Sequence, residues 1–506
     1  MTEPMSVERL RRDGEAFMRE LSLEFYESLS GLKSDAQIQR IYEKYRAIFS
    51  ADALDVAREM LEGSAEGTDQ RRSARILVDW QVESRSGREL ASLDEREIEW
   101  EGETVVRLPD GREIPFQRVA IDIANSTDRA ERAMIETARE AVVQRDLAPL
   151  KRERIQRERD ITESIGIANG YNATWEMLSG ISLAGLRDEC AAFLRDTQAM
   201  WDEVAAETVK RVLGMKLREA TRADGLALFR AREFDEFFPA RDMETTIRGQ
   251  VAEMGIESSA NGRIRFDTGE REGKRSRAFC SPVQVPDEVY LVLRPHGGQT
   301  DWNTFLHEYG HALHFAYMRP DLPMEFRFMG DNSVTEGYAM LFDHLMQDAG
   351  WLKRYTGLEK ATLPAFLRSA GFEELHYLRR YCAKLIYETQ LYGGEESFDA
   401  LPDLYVELLT KATSFQYSRA DAFVDVDPRF YSARYLRAWQ FQSLVTETLV
   451  ERYDADWWRN PRCGPWMVES LFGEAQRELA HEQAMRITRR TLGFGPLIRS
   501  VERMLT

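Results

Sequence analysis

Residues 304 to 315 contain the pattern H-E-x-x-H, formed by His307, Glu308 and His311. No other stretch limits the chain so tightly. On a helix, residues four apart project from one face, so both imidazoles can reach a single ion. Glu308 lies beside them, placed to take a proton from a water at that ion. Phe305, Leu306, Ala312, Leu313 and Phe315 make most of the remainder apolar, which predicts a buried helix. Two imidazoles and a carboxylate are costly to bury without partners. The stretch therefore calls for an ion, for hydrogen-bond partners, or for both.

A catalytic zinc takes three protein ligands and keeps one position open. The next patterned stretch, residues 333 to 343, has Val334, Tyr338, Leu341 and Phe342 at helical spacing, with Glu336 near its start. Taken alone, Glu336 would be a solvated acid favoured at a helix start. Pro320, Pro323 and Gly330 lie in the loop between, residues 319 to 332, and can turn the chain back. An antiparallel helix pair then brings Glu336, 25 residues beyond His311, to the two histidines. Asp343, seven residues further on the same face, is placed to orient a ligand imidazole or to be a plain surface acid. His314 reads as core or supporting rather than as a fourth ligand.

The run from His307 to His314, with Glu336 beyond it, resembles the thimet oligopeptidase and oligoendopeptidase F family of zinc peptidases, which are gluzincins. That family shows H-E-x-G-H-x-x-H and a glutamate ligand at this distance. Gly273-Lys274-Arg275 and Arg277-Ala278-Phe279-Cys280 resemble its basic stretch and the strand before its metal helix. The likeness runs from about residue 235 to about residue 442, under half the chain. It implies a mainly α fold: a large multi-helix body with a small active-site β-sheet, and two helical halves around a deep substrate channel. It implies one zinc ion per chain on His307, His311 and Glu336, with Glu308 as general base. Tyr431 and Tyr435 match two tyrosines of the family's late helix, which would donate to the oxyanion; the alternative is ordinary core aromatics. The chain departs from the family at Arg429, where a histidine is expected, and at Arg437 or Ala438, where a further tyrosine is expected.

The expected activity is hydrolysis of peptide bonds in short peptides. Two alternatives stand beside it: a metallocarboxypeptidase of a neighbouring gluzincin family, and a non-cleaving, zinc-containing relative that binds peptides or a partner protein. Arg429 favours the second, and Glu308 speaks against it.

Composition agrees with a large helical body. Of 506 residues, 43% are apolar, and 86 acidic against 68 basic side chains give a net charge of −18. That balance speaks against a nucleic-acid surface. Five of the seven histidines fall between His296 and His344, which marks the same region. The four cysteines, Cys190, Cys280, Cys382 and Cys463, form no C-x-x-C and read as reduced thiols. The first twelve residues hold no apolar run, and no stretch reaches the roughly 18 apolar residues of a membrane span. The expectation is a cytoplasmic protein with peptide substrates and no nucleic-acid or membrane partner.

Along the chain, residues 7 to 62 and 128 to 216 show helical periodicity. Residues 104 to 108 and 115 to 123 read as short strands around Pro109-Asp110-Gly111. The expected organisation is an N-terminal helical region with this hairpin, residues 1–180, and a catalytic region, 181–506, in one continuous body. Residues 264 to 294 are the best β region, and Val289 to Leu293 is its strongest run. An edge strand here, with Val289 and Leu291 as candidate donors, can hold an extended peptide. Thr300 or Asp301 is the expected cap of the H-E-x-x-H helix, and His296 in the preceding loop is a possible substrate contact.

Overall fold

The computed structural model describes residues 4–275, 277–394 and 396–506. Helices dominate these residues and the strands form two small sheets, so the mainly α expectation is met. β1 (Val105–Arg107) pairs antiparallel with β2 (Glu113–Pro115). The second sheet holds β3 (Ile264–Asp267), β4 (Phe279–Gln284) and β5 (Glu288–Val292), in the order β3-β5-β4. The chain divides into two compact units, each built from three separate stretches. The first comprises residues 1–83, 233–366 and 437–497, and the second 84–232, 367–436 and 498–506. Residues 180 and 181 both fall inside the second unit.

In the first unit, the helix Val7–Leu29 starts at Ser6, whose side chain accepts from the Arg9 amide at 3.2 Å. Its Phe17 is buried among Tyr42, Tyr45, Phe49 and Trp80. Further along, Tyr26 stacks on Tyr290 of β5 with ring centroids 3.7 Å apart. The Ser281 hydroxyl of β4 donates to the Ser22 carbonyl at 3.0 Å. The N-terminal helix is thus tied to the small sheet.

β5 pairs parallel with β3 on one side and antiparallel with β4 on the other. Val289 lies opposite Ile264 and Pro282, and Leu291 opposite Phe266 and Cys280. The expectation that Val289 or Leu291 offers donors to a peptide is corrected: their strand is central and the edges are β3 and β4. The physical reason is that β3 and β4 take up the hydrogen-bonding groups on its two sides, a pairing between distant stretches that the run itself does not encode.

Lys274, from the basic stretch, is buried and faces inward. Its Nζ donates to the Asp267 carbonyl (2.8 Å), Asp267 Oδ1 (3.0 Å) and the Gly269 carbonyl (2.7 Å). Those three bonds use all its donors. Tyr26 and Arg271 also donate to Asp267. Burial pushes the Asp267 carboxyl up, but hydrogen bonds from Arg271 and Lys274 outweigh it and hold the pKa below the usual range.

In the second unit, residues 116 to 125 are helical, not extended as expected. Val119 and Ile123, four apart, pack into a core with Val106, Ile114 and Ile135. Pro115 ends β2 and cannot donate to a continuing ladder. Arg139 is buried there between Glu136 and Asp421, with contacts of 2.8 to 3.0 Å.

Lys274→Met should lower stability at pH 7 by roughly 2 kcal/mol, the worth of hydrogen bonds to a charged group. A carboxyl depressed on folding adds stability above its unfolded pKa of about 3.9, and that stability is lost as the pH falls through the folded value. Urea titrations should therefore show the deficit shrinking below about pH 4. An unchanged midpoint at pH 7 would mean the lysine tie contributes nothing.

Candidate metal centre

The H-E-x-x-H stretch is helical from Gln299 to Tyr317. Neither Thr300 nor Asp301 is its N-cap. Gly298 takes that position at φ 90°, and a Cβ there would lie 2.7 Å from Asp235 Oδ1. Asp301 instead reaches back and accepts from the His296 and Gly297 amides at 2.6 and 2.9 Å. His296 itself is exposed.

The glutamate helix spans Asn332–Asp343, capped by Asp331, which accepts from the Ser333 amide. The loop before it holds a further short helix, Met324–Phe328. The two long helices meet at Gly310. A Cβ at that position would lie 2.7 Å from the Ala339 Cα and 2.9 Å from the Tyr338 carbonyl oxygen. Gly337, on the glutamate helix, is as crowded: its Cβ would lie 2.6 Å from the Phe441 ring.

This approach brings the predicted ligands together. His307, His311 and Glu336 each offer one ligand atom, all within 4.8 Å of one another. Glu336 Oε2 lies 3.4 Å from His307 Nε2 and 3.8 Å from His311 Nε2. The opposite ring nitrogens are engaged: His307 Nδ1 with Asp343 Oδ2 at 2.8 Å, and His311 Nδ1 with Thr335 Oγ1 at 2.9 Å. A proton on each Nδ1 satisfies both bonds and turns each Nε2 lone pair to the common centre.

Electrostatics point the same way. Burial disfavours a charged His307, but hydrogen bonds to Asp343 and Glu336 outweigh it and lift its pKa to about 10. Burial pushes His311 down to about 4 despite Glu336. The two carboxylates thus favour a positive charge beside them: without an ion a proton on His307 Nε2 supplies it, and a bound cation would take that proton's place. Two imidazoles and one carboxylate are a donor set that zinc accepts, so these residues fit the implied metal.

Glu308 is not one of the three donors but lies near enough to feel the charges of His307 and Glu336. Its Oε2 accepts from the Cys280 amide of β4 at 2.9 Å. Burial raises its pKa above the usual carboxylate value, against the His307 charge and the Cys280 hydrogen bond. His314 is fully buried against Phe315, Tyr338 and Phe472, and burial pushes its pKa down to about 3. It is a neutral core residue.

Tyr431 and Tyr435 belong to the second unit. Both are half-buried at the start of the helix Tyr431–Tyr453, with ring centroids 4.9 Å apart. Arg429 and Phe430 before them have φ of 56° and 54°, a region that L-residues seldom occupy. The buried Glu388 holds this corner, accepting from the Asp427 amide at 2.7 Å and from the Ser432 hydroxyl. The Arg429 amide donates to the Tyr171 hydroxyl at 3.0 Å, and its guanidinium lies over the Trp175 ring at 5.8 Å.

Thr335 and the Cys280 amide were not foreseen from the sequence. Thr335 has one signal, its place next to Glu336. The Cys280 contact has none, because it is made by main chain. No protein-family model and no curated protein matches the chain.

Gly310→Ala should force the two helices apart. The expected cost is about 1–3 kcal/mol, as for other overpacked contacts. Zinc affinity should fall with it, as read by chelator competition. Wild-type stability together with wild-type affinity would show that the contact is not limiting.

Proposed function

We propose that the chain is a zinc-dependent metallopeptidase that hydrolyses peptide bonds in short peptides, of the thimet oligopeptidase and oligoendopeptidase F kind. One observation carries the reading. Two imidazole Nε2 atoms and a Glu336 oxygen converge, while Glu308 is held beside them by one oxygen only. A purely structural metal site has no use for such a carboxylate. His307, His311 and Glu336 would hold the ion. When bound, zinc supplies Lewis acidity, which polarises a carbonyl and lowers the pKa of a water to about 7.

The protein's own part follows from the contacts. Asp343 and Thr335 fix the two imidazole rings by their Nδ1 atoms. The Cys280 amide pins Glu308 Oε2, leaving Oε1 to take a proton from the attacking water and return it to the leaving amine nitrogen. A pKa raised by burial suits a group that must both accept and give up a proton near neutrality. The oxyanion role of Tyr435 or Tyr431 comes from the family resemblance. Among the described residues, no helix is long and apolar enough to cross a membrane. We place the enzyme in the cytoplasm, on its reduced thiols.

Glu336→Ala should lose zinc and activity together; a variant that keeps one tightly held zinc would remove Glu336 from the ligand set. Glu308→Gln should keep zinc, fold and peptide binding, while turnover falls by about 10²–10⁴. Near-normal turnover in that variant is fatal to the mechanism. Tyr435→Phe should lower kcat by about 10²–10³ with KM little changed. A quenched peptide blocked at both ends separates the two peptidase classes, because a carboxypeptidase leaves it intact.

A further inference from the structure

The two imidazoles of the centre are oriented differently. His311 leans on a neutral hydroxyl, that of Thr335. His307 leans on a carboxylate, that of Asp343, and this carboxylate is itself gripped. His344 Nδ1 lies 2.5 Å from Asp343 Oδ1, on the oxygen that His307 does not use. The chain here forms a line of three groups: His344, Asp343 and His307.

The local fold explains how adjacent residues can meet in this way. Asp343 ends the glutamate helix, and His344–Gln347 continues as a tighter 3₁₀ turn. At this junction the His344 ring meets the carboxylate that precedes it. Both side chains are mostly shielded, at 14% and 12% exposure, so water competes weakly for the bond.

A carboxylate is planar. An aspartate held by one oxygen still turns about its terminal torsion, which is broad and soft. Holding the second oxygen stops that rotation and keeps Oδ2 aimed at His307 Nδ1. We propose that His344 is a positioning residue of the metal centre: it locks the Asp343 carboxylate, which in turn fixes the His307 ring for metal binding. This rests on the metal reading given above. His344 is not one of the three residues that would hold the ion.

Substitutions at position 344 separate a donor from a mere space-filler. Asparagine carries an amide nitrogen where histidine carries Nδ1, so His344→Asn keeps the donor. His344→Phe keeps a ring of similar size and removes it. Zinc affinity is measured by competition with a chromophoric chelator, and the Co²⁺-loaded protein gives a visible spectrum that reports ligand geometry. Melting of the metal-free variants checks the fold.

His344→Phe should bind zinc about tenfold more weakly, the lower end of what outer groups contribute to a metal site, and should shift the Co²⁺ bands. His344→Asn should stay near wild type in both. In an Asp343→Asn background, where the carboxylate is gone, His344→Phe should add no further loss. Wild-type affinity in His344→Phe overturns the proposal, as does an equal loss with and without Asp343. If His344→Phe does not fold, the proposal stands or falls on His344→Asn compared with His344→Ala: equal zinc affinities overturn it. Wild-type protein that takes up no zinc overturns the metal reading itself, and the inference with it.

Discussion

The centre depends on the close approach of two helix backbones at Gly310. Helices that pack through side chains stay about 8–10 Å apart. Imidazole and carboxylate arms that must also meet their orienting partners have little reach to spare. With no side chain at Gly310, the glutamate helix comes down onto the histidine helix at Ala339 and Tyr338. Gly337 does the same on the neighbouring side, where Phe441 enters. The burial of ionisable groups follows from this closeness and would be ruinous without partners. Three of them have one: Asp343 for His307, Thr335 for His311 and the Cys280 amide for Glu308.

The parts of this centre that were legible in the sequence are those written in helical period. His307 and His311 are four apart, Glu336 heads an apolar helix, and Asp343 lies seven residues on, along the same face. The rest was hidden for physical reasons. Thr335 is a common residue type whose role depends on a neighbouring helix. The Cys280 contact involves no side chain. In the sheet, Val289 to Val292 was rightly read as strand, yet its central place follows from pairing with β3 and β4, which the run itself does not encode. The run after Pro115 is short enough to suit either period, and only packing of Val119 with Ile123 decides for helix.

The basic stretch before β4 entered the resemblance without a role, and the structure gives Lys274 one. All its donors are spent on Asp267 and Gly269. Through Asp267 and Tyr26 it joins the N-terminal helix to the sheet that carries Cys280. The N-terminal helix therefore supports the strand that holds Glu308, although it lies more than two hundred positions away.

That strand anchors Glu308 by a peptide N–H, and this has a consequence for how the protein can vary. Every amino acid except proline supplies the same group at position 280. The thiol of Cys280 is therefore dispensable for the anchor, and the side chain is free to drift under other pressures. A comparison that scored only side-chain identity would miss position 280, while its backbone still holds the Glu308 carboxylate.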